Sequence, residues 1–278
     1  MTRVPFRKMH GLGNDFVVLD QRREPVAIDA AAARALADRR TGIGCDQLLL
    51  LEPPHDRRAR VFLRILNPDG SEAEACGNGT RCVARLLAAE SGARDLLIET
   101  EAGLLAATID RDGVATVDMG PPRLSWRDIP LARETDTLHV PLRQGPLGDA
   151  VCTNMGNPHA TFFVADAEAI DLVALGPRLE HDPLFPERAN IGIATVLDPQ
   201  TIRLRMWERG VGVTRACGSG ACAALVAAHR RGLCGLRATV RLDGGDLAIA
   251  WPERGHVLMS GPTTLSFEGS FDAALLAG

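Results

Sequence analysis

Tyrosine is absent from this chain of 278 residues, lysine occurs once, and no apolar stretch approaches the length of a membrane span. Each gap removes a class of function. Without a phenol there is no tyrosine acid or base. Lys8 is the one amine on which a pyridoxal Schiff base could be built, so that chemistry has a single candidate position and is a poor fit. The opening residues 1–6 lack the apolar core of a signal peptide, and the expected location is the cytoplasm. Basic and acidic residues, 31 and 35, are interspersed with a net charge of −4, and no run of like charge suits a nucleic acid or a membrane surface. Cys-x-x-Cys pairs are missing, and neither Cys76 with Cys82 nor Cys217 with Cys222 has the spacing of zinc ligands, so no metal is expected. The seven cysteines are odd in number and form no compact disulfide framework; they read as thiols in a reducing compartment.

What is present is organised around two nearly synonymous stretches, Ala75-Cys76-Gly77-Asn78-Gly79 and Ala216-Cys217-Gly218-Ser219-Gly220. After each, apolar periodicity predicts a helix, over 81–90 and over 221–231, with Val83, Leu86 and Leu87 inward in the first and Leu225 and Val226 in the second. A small-residue turn thus delivers each thiol to a helix N-terminus, where unpaired N–H groups and the helix dipole favour a thiolate or a bound carboxylate.

The likeness extends beyond the cysteines. Cys217 follows Cys76 by 141 residues, Asn157 follows Asn14 by 143, Asn190 follows Gln47 by 143, and Glu208 follows Asn67 by 141. An ordered set of polar anchors with so little drift predicts an internal duplication. At 46% hydrophobic the chain is large enough for two cores. The boundaries fall at about 1–119 for the first half, completed by a C-terminal strand at about 264–278, and about 120–263 for the second. Strand-like runs dominate: 6–9, 16–19, 48–51, 60–66, 96–100, 104–109 and 114–118 in the first half, then 149–153, 161–164, 191–197 and 201–206, with four more in the tail. Further helices are predicted over 29–39, with Asp29 as N-cap, and over 170–179. The fold class is α+β, a mixture of α and β in two pseudo-symmetric domains, each a strand-rich sheet wrapped around a central helix.

A single cysteine is by default a small buried hydrophobe, and Cys45, Cys82, Cys152, Cys222 and Cys234 are read that way. Cys76 and Cys217 differ because glycines surround them and the repeat makes them equivalent. The amides Asn14, Gln47, Asn67, Asn157 and Asn190 suit a ligand carrying both carboxylate and ammonium groups, since an amide offers acceptor and donors together. Arg209 suits a carboxylate clamp, and His159 and Glu208 are candidate tuners of the thiols. A free thiol has a pKa of roughly 8.5, which a helix N-terminus or a cation can lower, so one thiolate and one thiol can coexist near neutrality. If one takes a proton from one face of a carbon while the other gives a proton to the opposite face, the stereocentre inverts. That is two-base racemisation or epimerisation, and the layout requires no cofactor.

Motifs throughout the chain then narrow the choice. Met9-His-Gly-Leu-Gly-Asn-Asp-Phe16, Gly42-Ile-Gly-Cys-Asp-Gln47, Asn67-Pro-Asp-Gly-Ser-Glu-Ala-Glu-Ala-Cys-Gly-Asn-Gly79, Gly156-Asn-Pro-His159, Phe185-Pro-Glu-Arg-Ala-Asn190, Glu208-Arg-Gly-Val-Gly212 and Ala216-Cys-Gly-Ser-Gly-Ala-Cys222 together closely resemble the diaminopimelate epimerase family. The resemblance implies cofactor-independent interconversion of LL- and meso-2,6-diaminopimelate, serving lysine and peptidoglycan precursor synthesis, by an enzyme that is usually a homodimer. It implies that Cys76 and Cys217 are the acid/base pair, donor and acceptor respectively, with labels that exchange when the reaction reverses. It makes Asn14, Gln47, Asn67, Asn157, Asn190, Glu208 and Arg209 substrate contacts, makes Gly77, Asn78, Gly218 and Ser219 the carboxylate cradle, and gives His159 and Glu208 a part in modulating the thiols. Val213 stands where the family commonly has an acidic residue. Phe267 falls near a tail position often occupied by tyrosine at the dimer interface. A proline or hydroxyproline racemase and a non-catalytic binding module are the alternatives. The first would leave Arg209 and the extra amides without a distal carboxylate and amine, and the second has no need of two helix-mouth thiols.

Overall fold

Leu12 and Gly13 both take positive φ, 57° and 86°, and so fold β1 (Arg3–Gly11) back onto β2 (Asn14–Asp20) through the two-residue turn whose twist matches a hairpin. The helix α1 (Ala30–Ala37) follows, started by Asp29, whose carboxylate accepts from the Ala31 and Ala32 amides. The chain then returns as β3 (Gln47–Glu52), parallel to β2, and continues antiparallel through β4 (Phe62–Leu66) to the short β5 (Glu72–Ala73). The central helix α2 (Gly77–Ser91) precedes β6 (Asp95–Thr100), which joins β4 in parallel, and β7 (Gly103–Ile109) and β8 (Ala115–Asp118) complete the meander.

The same pairing plan then repeats. β9 (Val151–Asn154) and β10 (Pro158–Phe163) form the hairpin, α3 (Leu172–Glu180) follows, and β11 (Asn190–Asp198) lies parallel to β10. β12 (Thr201–Glu208) runs antiparallel to β11 and pairs with the short β13 (Gly212–Thr214); after α4 (Gly218–Arg230), β14 (Arg237–Leu242) joins β12 in parallel. β15 (Gly245–Ala250) and β16 (Leu258–Gly261) finish the set, and β17 (Thr264–Asp272) returns to pair antiparallel with β1. Register matches as well as order. Phe16 sits opposite Gln47 in the first parallel pair and His159 opposite Asn190 in the second, each 143 residues on. The protein is a duplicated α+β fold.

In this computed structural model, which describes residues 3–142 and 144–277, the chain divides into two units, Met1–Val117 with Gly261–Gly278 and Asp118–Ser260. Each unit has its own core. In the first, Leu48 and Leu50 of β3 and Val17 and Leu19 of β2 pack with Leu36 of α1. In the second, Ala160 and Phe162 of β10 and Ile191 and Ile193 of β11 pack with Leu172 and Leu179 of α3. The opposite sheet face of each unit receives its thiol-led helix. α4 is the more deeply buried, with Ala221 through Ala228 all at 0% exposure. Such a helix must be apolar all round, and its five alanines there let strands approach closely. Among the described residues no helix is long and apolar enough to cross a membrane.

Candidate active site

The helices begin earlier than periodicity indicates, at Gly77 rather than Arg81 and at Gly218 rather than Ala221. Glycine-rich turns carry no apolar signal, so the first turn of each helix was invisible to it. The consequence is chemical. Cys76 and Cys217 are themselves the N-caps, in extended backbone (φ −144° and −114°), each Sγ accepting from the N–H three residues on: Gly79 to Cys76 and Gly220 to Cys217, both at 3.4 Å. The two thiols share one local geometry. Gly77 and Asn78, and equivalently Gly218 and Ser219, occupy the first two helical positions, whose N–H groups have no acceptor within the helix.

The glycine at the third position keeps each cap close against its neighbours. A Cβ on Gly220 would lie 2.8 Å from Met206 Sδ and 3.1 Å from Cys217 Sγ; one on Gly79 would lie 3.0 Å from Leu49 Cδ2. A side chain at either position would have to displace the end of Met206 or of Leu49.

In the first unit Asn78 turns its side chain to Asn14, donating from Nδ2 to Oδ1 at 3.1 Å, while Asn14 donates its own Nδ2 to Asp46 at 2.9 Å. Asp46 also accepts from the Asp15 amide and from Arg39. Asn14 is therefore held in one orientation by an acceptor that cannot donate. Asp15 in turn binds Lys8 and Arg39; burial opposes its ionisation, but the hydrogen bonds from Arg39 and Lys8 prevail and hold its pKa at about 2. The one lysine of the chain is thus committed to an ion pair with Asp15 and to the Gly44 carbonyl. Gln47 and Asn67 make a second pair, Gln47 Nε2 donating to Asn67 Oδ1 at 2.9 Å, and Asn67 donates onward to Ser71 at 3.0 Å.

In the second unit Asn157, His159, Asn190 and Arg209 are brought together. His159 is fully buried, and its Nε2 lies 2.8 Å from Asn157 Oδ1. An amide oxygen only accepts, so Nε2 carries the hydrogen and the Asn157 NH2 group faces away as a donor. Burial, with the Arg209 charge adding to it, pushes the His159 pKa down to about 3, so the ring is neutral throughout the working range. Asn190 donates to the Pro158 carbonyl at 3.0 Å and accepts from the Arg209 amide at 2.9 Å, while the Arg209 guanidinium donates to the Glu187 carbonyl. Glu208, half-buried, accepts from the Thr214 hydroxyl and stands beside Cys217.

The electrostatics of Cys217 run opposite to the sequence expectation. Burial first, and the Glu208 carboxylate second, raise its pKa well above the ordinary value, although the Ser219 hydroxyl and Gly220 amide pull the other way. Cys217 rests as a thiol. Helix-dipole reasoning missed this because it contains no desolvation. Burial likewise raises Cys45 to about 11 and Cys82 to about 12, in keeping with packing roles. Among the described residues no cluster of three or more His, Cys, Asp or Glu could hold a metal.

Several residues that build the site escaped the sequence reading: Asp46, Thr214, Trp207 and Glu180. Glu180 is only 2% exposed, yet a glutamate at a helix end ordinarily reads as solvated. The pattern around it did carry one signal, a glycine at 176 one helical turn earlier, which makes room for the Trp207 ring.

Comparison with known proteins defines the class first. A Bacillus anthracis phenazine biosynthesis protein of the PhzF family superposes with a TM-score of 0.71 at 14% identity, covering 98% of this chain and 100% of that one. A hydroxyproline epimerase from Agrobacterium vitis gives 0.69 at 18% identity, covering 99% and 94%. At such low identity these likenesses establish the fold, a duplicated α+β architecture shared by PhzF-like proteins and epimerases. Sequence goes further. The family model for diaminopimelate epimerase matches residues 6–125 and 151–266. The diaminopimelate epimerase of Rhodospirillum centenum is 62% identical over 273 residues, spanning 98% of this chain and 94% of its own length, and that of Acidiphilium cryptum is 59% identical over 273 residues, 98% of each. The chain belongs to the diaminopimelate epimerase family, a family of isomerases.

Proposed function

We propose that this enzyme interconverts LL- and meso-2,6-diaminopimelate by two-base proton transfer at one α-carbon, without metal or organic cofactor, for lysine and peptidoglycan precursor synthesis. One observation carries the reading: the repeat supplies two thiols, Cys76 and Cys217, each as the N-cap of an equivalent helix. A thiolate on one face of the carbon takes the α-proton while the thiol on the other face delivers one, so no net proton is consumed. The first-turn amides of Gly77, Asn78, Gly218 and Ser219 serve the carboxylate next to the carbanion, placing fixed dipoles where charge develops.

The high pKa of Cys217 has a use in this scheme. An α-proton of an amino acid is very weakly acidic, and a thiolate that binds its proton tightly is the stronger base. The resting Cys217 thiol delivers a proton in one direction of the reaction; once it has given that proton up, Glu208 makes its thiolate the stronger base, so Cys217 is acceptor and Cys76 donor in the other direction. Arg209 takes the distal carboxylate. Asn14, Gln47, Asn67 and Asn157 complete the recognition, and Asn190 contributes by holding the Arg209 backbone as well as by its remaining amide hydrogen. His159, neutral and buried, acts by turning the Asn157 amide donors outward.

In the same reading the enzyme works in the cytoplasm as a homodimer, with Phe267 near the interface. Support comes from β17, where two large apolar side chains, Phe267 at 51% and Leu265 at 42%, are exposed on either side of the register irregularity opposite Lys8 and Met9. Light scattering on the wild type and Phe267→Ser tests this; a monomeric wild type would refute it.

The test of the chemistry is NMR of metal-free, pyridoxal-free protein with LL-diaminopimelate in deuterated water. Deuterium enters the α-carbon and the meso isomer forms with wild type, while Cys76→Ala and Cys217→Ala produce no meso isomer. Undiminished epimerisation by either variant refutes the two-thiol mechanism.

A further inference from the structure

The segment carrying Glu208 and Arg209 is the tight connection between β12 and β13, closed by the Glu208–Gly212 pair and turned by Gly210 at φ +74°. Inside the connection the Val211 amide donates to the Glu208 carbonyl at 3.0 Å, and Asn190 Oδ1 holds the Arg209 amide at 2.9 Å. The side chain of Glu180, in the last turn of α3, ties the connection to that helix. Its Oε2 accepts from Trp207 Nε1 at 2.7 Å and its Oε1 accepts from the Gly210 amide at 2.9 Å. One buried carboxylate therefore grips the chain on both sides of Glu208 and Arg209. Arg188, held in the left-handed region at φ +59°, adds a third donor to Oε1 at 3.3 Å. A second contact of the same helix fixes the same indole: a Cβ on Gly176 would lie 2.4 Å from the Trp207 ring. Gly176 and Glu180 are one turn apart and share a helix face. That face offers a gap for the ring and an acceptor for its N–H.

We propose that Glu180 is the positioning residue for Glu208 and Arg209, so that α3 sets both the carboxylate beside Cys217 and the guanidinium that selects a dicarboxylate substrate. The assignment of those two residues rests on the function proposed above; the placement of Glu180 does not. Glu180→Gln keeps the shape but has only one acceptor oxygen, so its NH2 group must confront either the indole N–H or the Gly210 N–H in a buried site. The turn then shifts. Trp207→Phe removes a single donor and leaves the ring on Gly176.

The experiment has two readouts, taken well below the unfolding temperature of each variant. Alkylation of Cys217 against pH, followed by peptide mass spectrometry, reports the Glu208 charge without reference to catalysis. The midpoint is expected to fall by at least one pH unit in Glu180→Gln and by less in Trp207→Phe. Steady-state kinetics with LL-diaminopimelate should show KM rising about tenfold or more in Glu180→Gln with a smaller change in kcat. Should Glu180→Gln fail to fold, Trp207→Phe decides with the same signs. A lowered melting temperature with an unchanged Cys217 midpoint and unchanged KM overturns the proposal, leaving Glu180 a merely structural group. A shifted midpoint in a protein that does not turn over diaminopimelate sustains the positioning role and refutes the substrate instead.

Discussion

A buried neutral histidine is a pH liability whose size follows from its pKa in the folded chain. His159 sits at about 3 when folded, against an ordinary value of 6.5. Below 6.5 the unfolded chain binds a proton that the folded chain refuses, so unfolding is favoured as pH falls, while above 6.5 neither state binds it and the penalty vanishes. Each pH unit in that window is worth about 1.4 kcal/mol, and going from 6.5 to 5 removes about 2 kcal/mol from stability, a sizeable part of a typical total. The carboxylates, including Asp15 at about 2, contribute stability that is lost only below their unfolded values near 4, outside this window. Urea denaturation of wild type and His159→Gln at half-unit steps from pH 5 to 8 isolates the effect, because the other six histidines are common to both. The His159→Gln variant is the less stable protein at about pH 7.5, and the gap between the two should narrow by about 2 kcal/mol on reaching pH 5. Parallel stability curves over the whole range would refute the burial of a neutral imidazole at this position.

Gly220→Ala forces a methyl within 2.8 Å of Met206 Sδ and 3.1 Å of Cys217 Sγ; kcat should drop by at least about tenfold, and wild-type kcat in the purified variant would contradict the packing of this cap. Asp29→Ala removes two capping bonds from α1 and should cost about 1 kcal/mol by denaturant titration with kcat unaltered, whereas a loss of activity in the folded protein would implicate α1 in the site. Asp46→Asn frees Asn14 to turn over, and KM for diaminopimelate should rise with little change in melting temperature; an unchanged KM removes Asp46 from the site. Mild oxidation should inactivate by joining Cys76 to Cys217, with full recovery in dithiothreitol, and a peptide map free of that link in inactivated enzyme would refute the pairing.

Much of this was legible because duplication writes the same constraints twice. The spacing of 143 between Gln47 and Asn190 reappears as the register of the two parallel strand pairs. The drift of two residues falls in one connection, where residues 53–61 join β3 to β4 but only 199–200 join β11 to β12, whose strands are longer. What stayed hidden shares a physical cause: it depends on groups whose burial is decided by tertiary packing. Glu180 and Lys8 are charged side chains that a single sequence assigns to solvent, and each is buried against a specific partner. The short strands β5 and β13 have two and three residues, too few for any periodicity. The upward shift at Cys217 belongs to the same group, since desolvation is a property of the assembled unit.

The caps formed by the two thiols also make the backbone a witness to the chemistry. A sulfur that has lost its proton accepts a hydrogen bond far more strongly than a neutral one. Gly79 N–H and Gly220 N–H, each pointed at one sulfur, should therefore feel every change in ownership of that proton. Their amide resonances would move downfield as charge accumulates on the sulfur and return as it is discharged. Two glycines with no side chain to titrate would then report, separately and without any label on the substrate, which thiol is armed at a given moment.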